Sequence, residues 1–289
     1  MAKCEVCFRH CELKEGQPGV CGARVCRDGA VRLENYGRIT SLALDPIEKK
    51  PLQEFYPGGM ILSVGSYGCN LRCPFCQNHE ISWGKEVRHF AQDKQYTEYI
   101  SPEALARLAR YYAKKGNIGV AFTYNEPLIG YEYVRDAARC VHDMGMVNVL
   151  VTNGTAELPI LQEIAPYIDA MNIDLKGVTE SYYRDVLKGS LPMVLDFITE
   201  AVKLCHVELT TLIVPGENDT EAEMRQICEW ICGLEHVFAD RSGSQIPLHI
   251  SRFFPRFHMT DRPATDIGIV YRLANVAREY LEHVYTGNC

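Results

Sequence analysis

From residue 60 onward, short apolar runs alternate with longer stretches in which apolar residues recur every three or four positions. Met60–Gly65, Ile118–Thr123, Val147–Thr152, Ala170–Asp174, Glu208–Val214 and Leu248–Phe253 are mostly apolar along their length, as strands buried on both faces are. The intervening stretches read as helices. Ser101-Pro102-Glu103 supplies an N-cap, a proline and an acid in their favoured places, and Leu105, Leu108 and Tyr112 give that helix an apolar face. Further helices are predicted over Leu128–Met144, ended by Gly145, then over Ala156–Tyr167, Glu180–Leu187, Met193–Cys205, Thr220–Leu234 and Ala264–Val284.

Alternating strands and helices predict a parallel sheet covered by helices, an α/β fold. Six such units suit a partial (β/α)6 TIM-like barrel, open on one side, better than the closed eight-unit form. Residues 1–57 break the rhythm. They are rich in cysteine and glycine, with only short strand-like runs at Ala30–Leu33 and Ile39–Leu44. So few apolar residues build little core, and a metal staple would stabilise such a unit. Pro57-Gly58-Gly59 reads as a boundary turn, so the expected domains are a small Cys-rich unit over 1–57 and the barrel over 58–289.

The chain has 289 residues, 47% hydrophobic and 23% charged, which supports one large core and argues against global disorder. Its formal net charge of −7 lacks the basic excess of a nucleic-acid binder. No apolar run approaches the roughly 20 residues that span a bilayer. Met1-Ala2-Lys3-Cys4 lacks the apolar core of a signal peptide, so a cytoplasmic location is expected. In that reducing compartment 13 cysteines point to metal rather than to disulfides.

Cys69, Cys73 and Cys76 have the spacing C-x3-C-x2-C. Three thiolates on one loop can hold three irons of a 4Fe–4S cubane and leave the fourth open to a reacting ligand. The alternative is a structural zinc loop completed by His79, although zinc loops more often pair C-x2-C with a distant second pair. The second to fifth predicted strands also end in polar residues: Tyr124-Asn125-Glu126-Pro127, Thr152-Asn153-Gly154, Asp174-Leu175-Lys176-Gly177 and Pro215-Gly216-Glu217-Asn218-Asp219. In parallel barrels that edge carries the active site.

The cysteine loop, with Phe75 before its last cysteine, resembles the radical S-adenosylmethionine (SAM) superfamily. That resemblance implies SAM on the open iron, its cleavage to a 5′-deoxyadenosyl radical, hydrogen abstraction from a substrate, and a one-electron donor such as flavodoxin or ferredoxin. Asn125-Glu126 stands where many members carry Gly-Gly-Glu, which makes Glu126 the candidate partner of the SAM ammonium. Thr152 and Asn153 are candidates for the ribose or carboxylate of SAM, with helix capping as the alternative. Asp174 and Lys176 are candidates for a rim ion pair or a substrate contact.

The barrel half is similar to the pyruvate formate-lyase activating enzyme group in the cysteine triad, Thr152-Asn153-Gly154, Asp174-Leu175-Lys176 and Val214-Pro215-Gly216, which adds Val214 to the cofactor-binding set. That group carries an aspartate before its Thr-Asn-Gly turn, serving a monovalent cation; here the residue is Val151. Cys4–Cys21, Glu48-Lys49-Lys50-Pro51-Leu52, Cys69–Asn78, Phe122–Pro127 and His249–Pro255 resemble radical SAM enzymes of the AmmeMemoRadiSam system. This adds His249, whose other reading is a core histidine, and implies AMMECR-type and Memo-type partner proteins. Two further activities stay open: installing a glycyl radical on a partner protein, and a zinc-bound scaffold without catalysis.

Cys4, Cys7, Cys11 and Cys21 can take zinc, a second iron–sulfur cluster, or no metal. Cys140, Cys205, Cys228 and Cys232 read as core residues. Arg252 and Arg256 face either an anionic substrate or solvent.

Overall fold

The computed structural model describes all 289 residues except for the side chains of Arg88, Ala91, Gln92 and Lys94. The chain opens with two small antiparallel pairs, β1 (Ala2–Lys3) with β2 (Glu12–Leu13) and β3 (Arg24–Arg27) with β4 (Ala30–Leu33). It continues through β5 (Arg38–Ile39), β6 (Ser41–Pro46), β7 (Met60–Gly65), α1 (His79–Ser82), α2 (Val87–Gln92), β8 (Glu98–Tyr99) and α3 (Pro102–Tyr112). Then come β9 (Asn117–Phe122), α4 (Tyr131–His142), β10 (Val147–Thr152), α5 (Leu158–Ile164), β11 (Ala170–Asp174) and α6 (Leu191–Leu204). The last elements are β12 (His206–Ile213), α7 (Glu221–Cys232), β13 (Leu248–Arg252), α8 (Ile267–Ala277) and β14 (Val284–Gly287).

One eight-stranded sheet in the order β14-β13-β12-β11-β10-β9-β7-β6 organises the molecule. Its pairs are parallel except β6–β7. The sheet is the mixed α/β architecture the alternating pattern predicts, with its parallel strands buried on both sides. Helix ends follow their local chemistry. The Ser101 hydroxyl accepts the Ala104 N–H at 3.2 Å to start α3, and Thr220 and Asp266 cap α7 and α8 in the same way.

Three expectations are corrected. The final predicted helix stops at Ala277, and Val284–Gly287 instead forms a seventh parallel strand beside β13. Leu281 and Val284 are spaced as on a helix face, but Val284-Tyr285-Thr286 prefers the extended form and β13 offers it an open edge. Glu180–Leu187 is a π-type turn over Tyr182–Leu187 rather than an ordinary helix. Ser41–Pro46 runs along the whole of β7, so the sheet takes up residues that the sequence pattern groups with the N-terminal unit.

The inner face of the sheet is closed at the N-terminal end of its strands by the segment after β6. Ile47 and Leu52 pack with Ile61, Ala121, Val149 and Ala170. The Asn172 amide donates to the Pro51 carbonyl at 2.8 Å. The ammonium of Lys50, 2% exposed, meets Asp45 Oδ2 at 2.8 Å, where the hydroxyls of Ser63 and Tyr124 also donate. With this end plugged, the interior opens only toward the C-terminal ends of the strands.

Candidate active site

At those ends lies a cavity of about 430 Å³. Its walls include Cys69, Cys73 and Cys76, together with Asn125, Glu126, Thr152, Asn153, Asp174 and Lys176. The cysteine loop leaves β7 and turns at Gly68, whose φ of +99° disfavours a side chain. Beyond it, Arg72 N–H donates to the Leu187 carbonyl at 2.8 Å, and Arg72 Nη1 donates to the Cys69 carbonyl at 2.8 Å. The Trp83 indole donates to the Cys73 carbonyl at 3.2 Å. The loop is therefore held by its backbone, leaving the thiols free to face the cavity.

Burial pushes all three thiols above their ordinary range: Cys69 well above it, Cys73 to about 12, and Cys76 upward despite a hydrogen bond from Ser82. Nearby charge is mixed, since Glu126 adds to the effect at Cys69 while Lys176 opposes it at Cys73 and Cys76. Three thiols on one wall of a desolvated polar cavity fit a metal–sulfide cluster, which would replace their protons. A zinc loop completed by His79 does not fit. The His79 ring stacks on Phe257 at 4.3 Å, and among the described residues no three His, Cys, Asp or Glu side chains converge on a single ion.

Glu126, 3% exposed, ties two strand ends together. Its Oε1 accepts from the Thr152 hydroxyl at 2.7 Å and the Leu128 N–H at 3.0 Å, and its Oε2 from the Asn153 N–H at 2.8 Å. Burial nevertheless raises its carboxyl to about 7 against the pull of those donors. A carboxylate has about four acceptor positions, so one on Oε2 stays available to the cavity. Asn125 Oδ1 accepts the Ser66 N–H at 2.9 Å and its amide donates to the Gly68 carbonyl at 3.1 Å, tying this turn to the cysteine loop.

Asp174 and Lys176 form an ion pair of 2.7 Å in the cavity wall. Burial opposes the Lys176 charge, but Asp174 and Cys73 outweigh it and hold the ammonium above its ordinary range. Arg252 and Arg256, undecided from sequence, both line the cavity, with Ser251 and Asn288 beside them.

Val214 and His249 do not line it. Val214 is fully buried in the core under the helices, its N–H donating to Asn218 Oδ1 at 2.7 Å. His249 sits near the start of β13, at the plugged end, with Nε2 2.6 Å from Glu208 Oε2. Leu212 and Ser251, two residues away along the chain, line it instead; His249 shares the face of Ser251 but sits lower on β13, and Val214 follows the last residue of β12.

One contributor, Asn70, went unread in the sequence. Asn70 Oδ1 accepts the Asn153 amide at 3.0 Å, and its own amide donates to the Thr155 hydroxyl at 2.8 Å. Tyr124 lines the cavity from a left-handed backbone position, φ +74°. An asparagine directly after the first cysteine of the loop was the only available signal for Asn70. Of the cysteines expected in the core, Cys205 and Cys228 are buried, Cys140 is partly buried and Cys232 is exposed. Cys4, Cys7, Cys11 and Cys21 line a separate small cavity with Arg9 and Arg24.

A profile of the radical SAM superfamily matches residues 63–231. An uncharacterized protein of Methanocaldococcus jannaschii is 39% identical over 288 residues, 99% of this chain and 81% of that one. The pyruvate formate-lyase 1-activating enzyme of Escherichia coli is 26% identical over 177 residues, 59% of this chain and 68% of that one. Among solved structures, a radical SAM methyltransferase from Sphaerobacter thermophilus aligns with a TM-score of 0.57 at 15% identity, over 80% of this chain and 67% of that one. Streptococcus suis SuiB bound to S-adenosylmethionine aligns with a TM-score of 0.58 at 12% identity, over 79% of this chain and 52% of that one. No helix among the described residues is long and apolar enough to cross a membrane. With a matching profile over more than half its length and a cysteine loop at the mouth of a parallel α/β sheet, the chain belongs to the radical SAM superfamily.

Proposed function

We propose that the chain binds SAM beside a 4Fe–4S cluster held by Cys69, Cys73 and Cys76, and uses the pair to begin hydrogen abstraction from a substrate in the same cavity. The observation that carries this reading is the opening of three thiols from one loop into a cavity whose facing wall is the C-terminal ends of β9, β10 and β11. When bound, the cluster supplies one electron to the SAM sulfonium, which then splits into methionine and a 5′-deoxyadenosyl radical.

The protein's part is placement. Glu126 presents its remaining carboxylate position to the SAM ammonium. Thr152 and Asn153, fixed by Glu126, form the wall against which the ribose or carboxylate would lie. Asp174 and Lys176 place a compensated pair beside Cys73. Leu71, Phe75 and Phe253 line the remaining wall and exclude water, which protects a reactive radical. Arg252 and Arg256 in the far wall favour a small anionic substrate over a peptide loop of a glycyl-radical partner. A flavodoxin- or ferredoxin-class donor supplies the electron, and the AmmeMemoRadiSam resemblance points to AMMECR-type and Memo-type proteins as partners.

The test is anaerobic reconstitution with iron and sulfide, followed by dithionite and SAM. The expected product is 5′-deoxyadenosine, absent in Cys73→Ser. An intact cluster that yields none refutes the reading.

A further inference from the structure

The four N-terminal cysteines, all within residues 4–21, share one space. Cys4, Cys7, Cys11 and Cys21 line a cavity of about 10 Å³ together with Gly19, Arg9, Arg24 and Ile129. Backbone hydrogen bonds assemble it. Cys4 N–H donates to the Cys11 carbonyl at 3.0 Å, Gly22 N–H to the Gly19 carbonyl at 3.0 Å, and Gly19 N–H to the Arg24 carbonyl at 2.7 Å. All four are free thiols, and no disulfide closes the unit.

The arrangement does not suit a single ion. Zinc–sulfur bonds of about 2.3 Å hold four sulfurs in mutual contact, with no space left for a water-sized sphere. Here such a space exists, and among the described residues no three metal-ligating side chains converge on one ion. Two cations line the space with the four sulfurs, Arg24 buried and paired to Glu132, and Arg9 half-buried. Arg24 is 5% exposed, and Arg9 is held by its Nε–H to the Asn70 carbonyl at 3.1 Å. They suit an anionic cluster with four thiolate ligands better than four neutral thiols.

The site is also joined to the first. Arg9, which lines the four-cysteine space, donates its Nε–H to the Asn70 carbonyl, and Asn70 follows Cys69 directly in the chain. Its Oδ1 accepts from the Asn153 amide, which lies 3.7 Å from Cys69 Sγ. Gly68, on the other side of Cys69, packs against the Cys21 carbonyl. One side chain and one peptide thus separate a sulfur of each set.

We propose that Cys4, Cys7, Cys11 and Cys21 ligate a second 4Fe–4S cluster, redox-active and coupled through Asn70 to the cluster site at Cys69–Cys76. Its coupling, though not its existence, rests on the reading given under Proposed function. All four irons carry a protein thiolate, so this cluster has no place for SAM and serves electron transfer. A flavodoxin- or ferredoxin-class donor loses one electron to it, and that electron moves on to the triad site. No bond or proton is exchanged in the step.

The test uses the full-length triple variant C69A/C73A/C76A, purified and reconstituted anaerobically, which keeps all four N-terminal cysteines. It should hold about four irons and four sulfides and show a 4Fe–4S paramagnetic signal after dithionite, against about eight irons in the unaltered chain. A triple variant carrying about one zinc and no iron, or no metal at all, overturns the proposal whether or not the unaltered chain cleaves SAM. Coupling is read in the unaltered chain by electron paramagnetic resonance. Reduced protein should show spin–spin broadening that Asn70→Ala weakens at unchanged iron content; two independent signals refute the coupling.

Discussion

Glu126 and Asn153 meet across the rim of the sheet, with the Asn153 backbone N–H donating to Glu126 Oε2 at 2.8 Å. The same carboxylate takes the Thr152 hydroxyl and the Leu128 N–H, so one side chain fixes the turn after β10 and presents an anion to the cavity. Glu126→Gln keeps the shape but sets an amide donor against these N–H groups and removes the charge. A hydrogen bond to a charged group contributes about 1.5–3 kcal/mol, so SAM affinity should fall roughly 10- to 100-fold. Anaerobic calorimetric titration of the reconstituted protein with SAM checks this. Unchanged affinity would remove Glu126 from the cofactor site.

At the opposite end of the strands, a second carboxylate is held more tightly. Glu208 is fully buried and accepts from the backbone N–H of Gln53 at 2.9 Å and of Glu54 at 2.8 Å. His206 Nε2 and His249 Nε2 approach it at 2.9 and 2.6 Å. Arg241 stands behind His206, and Tyr285 stacks on His249. Burial alone would raise the Glu208 carboxyl, but these donors outweigh it and hold it at about 2, below its ordinary 4.5. The folded pKa is depressed, so the unfolded chain binds more protons between the two values. The stabilisation is present above about pH 4.5 and is lost as pH falls toward 2, to a total of about 3 kcal/mol. Thermal melts across that window should show Glu208→Gln starting less stable at pH 7 and losing less on acidification than the unaltered chain.

What the sequence disclosed follows from where chemistry and periodicity coincide. Six parallel strands were legible because each is a short apolar run cut off by polar residues, and Glu126, Asn153, Asp174 and Lys176 were legible because they sit at those cuts. Val284–Gly287 was not, since Leu281 and Val284 fit a helical spacing equally well and only an open edge on β13 decides between the two. His249 and Val214 drew attention by resemblance, but His249 lies at the other end of its strand and Val214 turns into the core just past the end of β12. His249 is one step too low, and Glu208, which gives it its role, is distant in sequence. Asn70 was invisible for a related reason. Its partners Thr155 and Asn153 come from the turn after β10, and no local pattern records them.

Lys176 stands in the cavity wall, paired to Asp174 at 2.7 Å and acting on Cys73 and Cys76. Lys176→Met leaves Asp174 uncompensated beside the cluster site. Added negative charge disfavours the reduced cluster, so its reduction potential should become more negative by tens of millivolts. Lys176→Arg should restore most of the difference. Redox titration followed by electron paramagnetic resonance measures both, and an unchanged potential in Lys176→Met would make the pair purely structural.

Gly68 couples the two cysteine sites by contact. Its φ is +99°, and a Cβ there would stand 2.6 Å from the Cys21 carbonyl oxygen and 2.7 Å from Ile129 Cδ1. Ile129 can shift, but the Cys21 backbone is pinned within the four-cysteine unit. Gly58 provides the control, with a φ of +78° and nothing within 4 Å of an added Cβ. Gly58→Ala therefore incurs only the left-handed backbone penalty of about 1 kcal/mol. Gly68→Ala adds overpacking of about 1–3 kcal/mol, and it releases that strain by displacing Cys21 or Cys69. The expected outcome is a lower melting temperature for Gly68→Ala than for Gly58→Ala, with iron lost per chain only in the former. Equal stability and equal iron content in the two variants would mean that the loop at Cys69 and the unit at Cys21 are not in register as described.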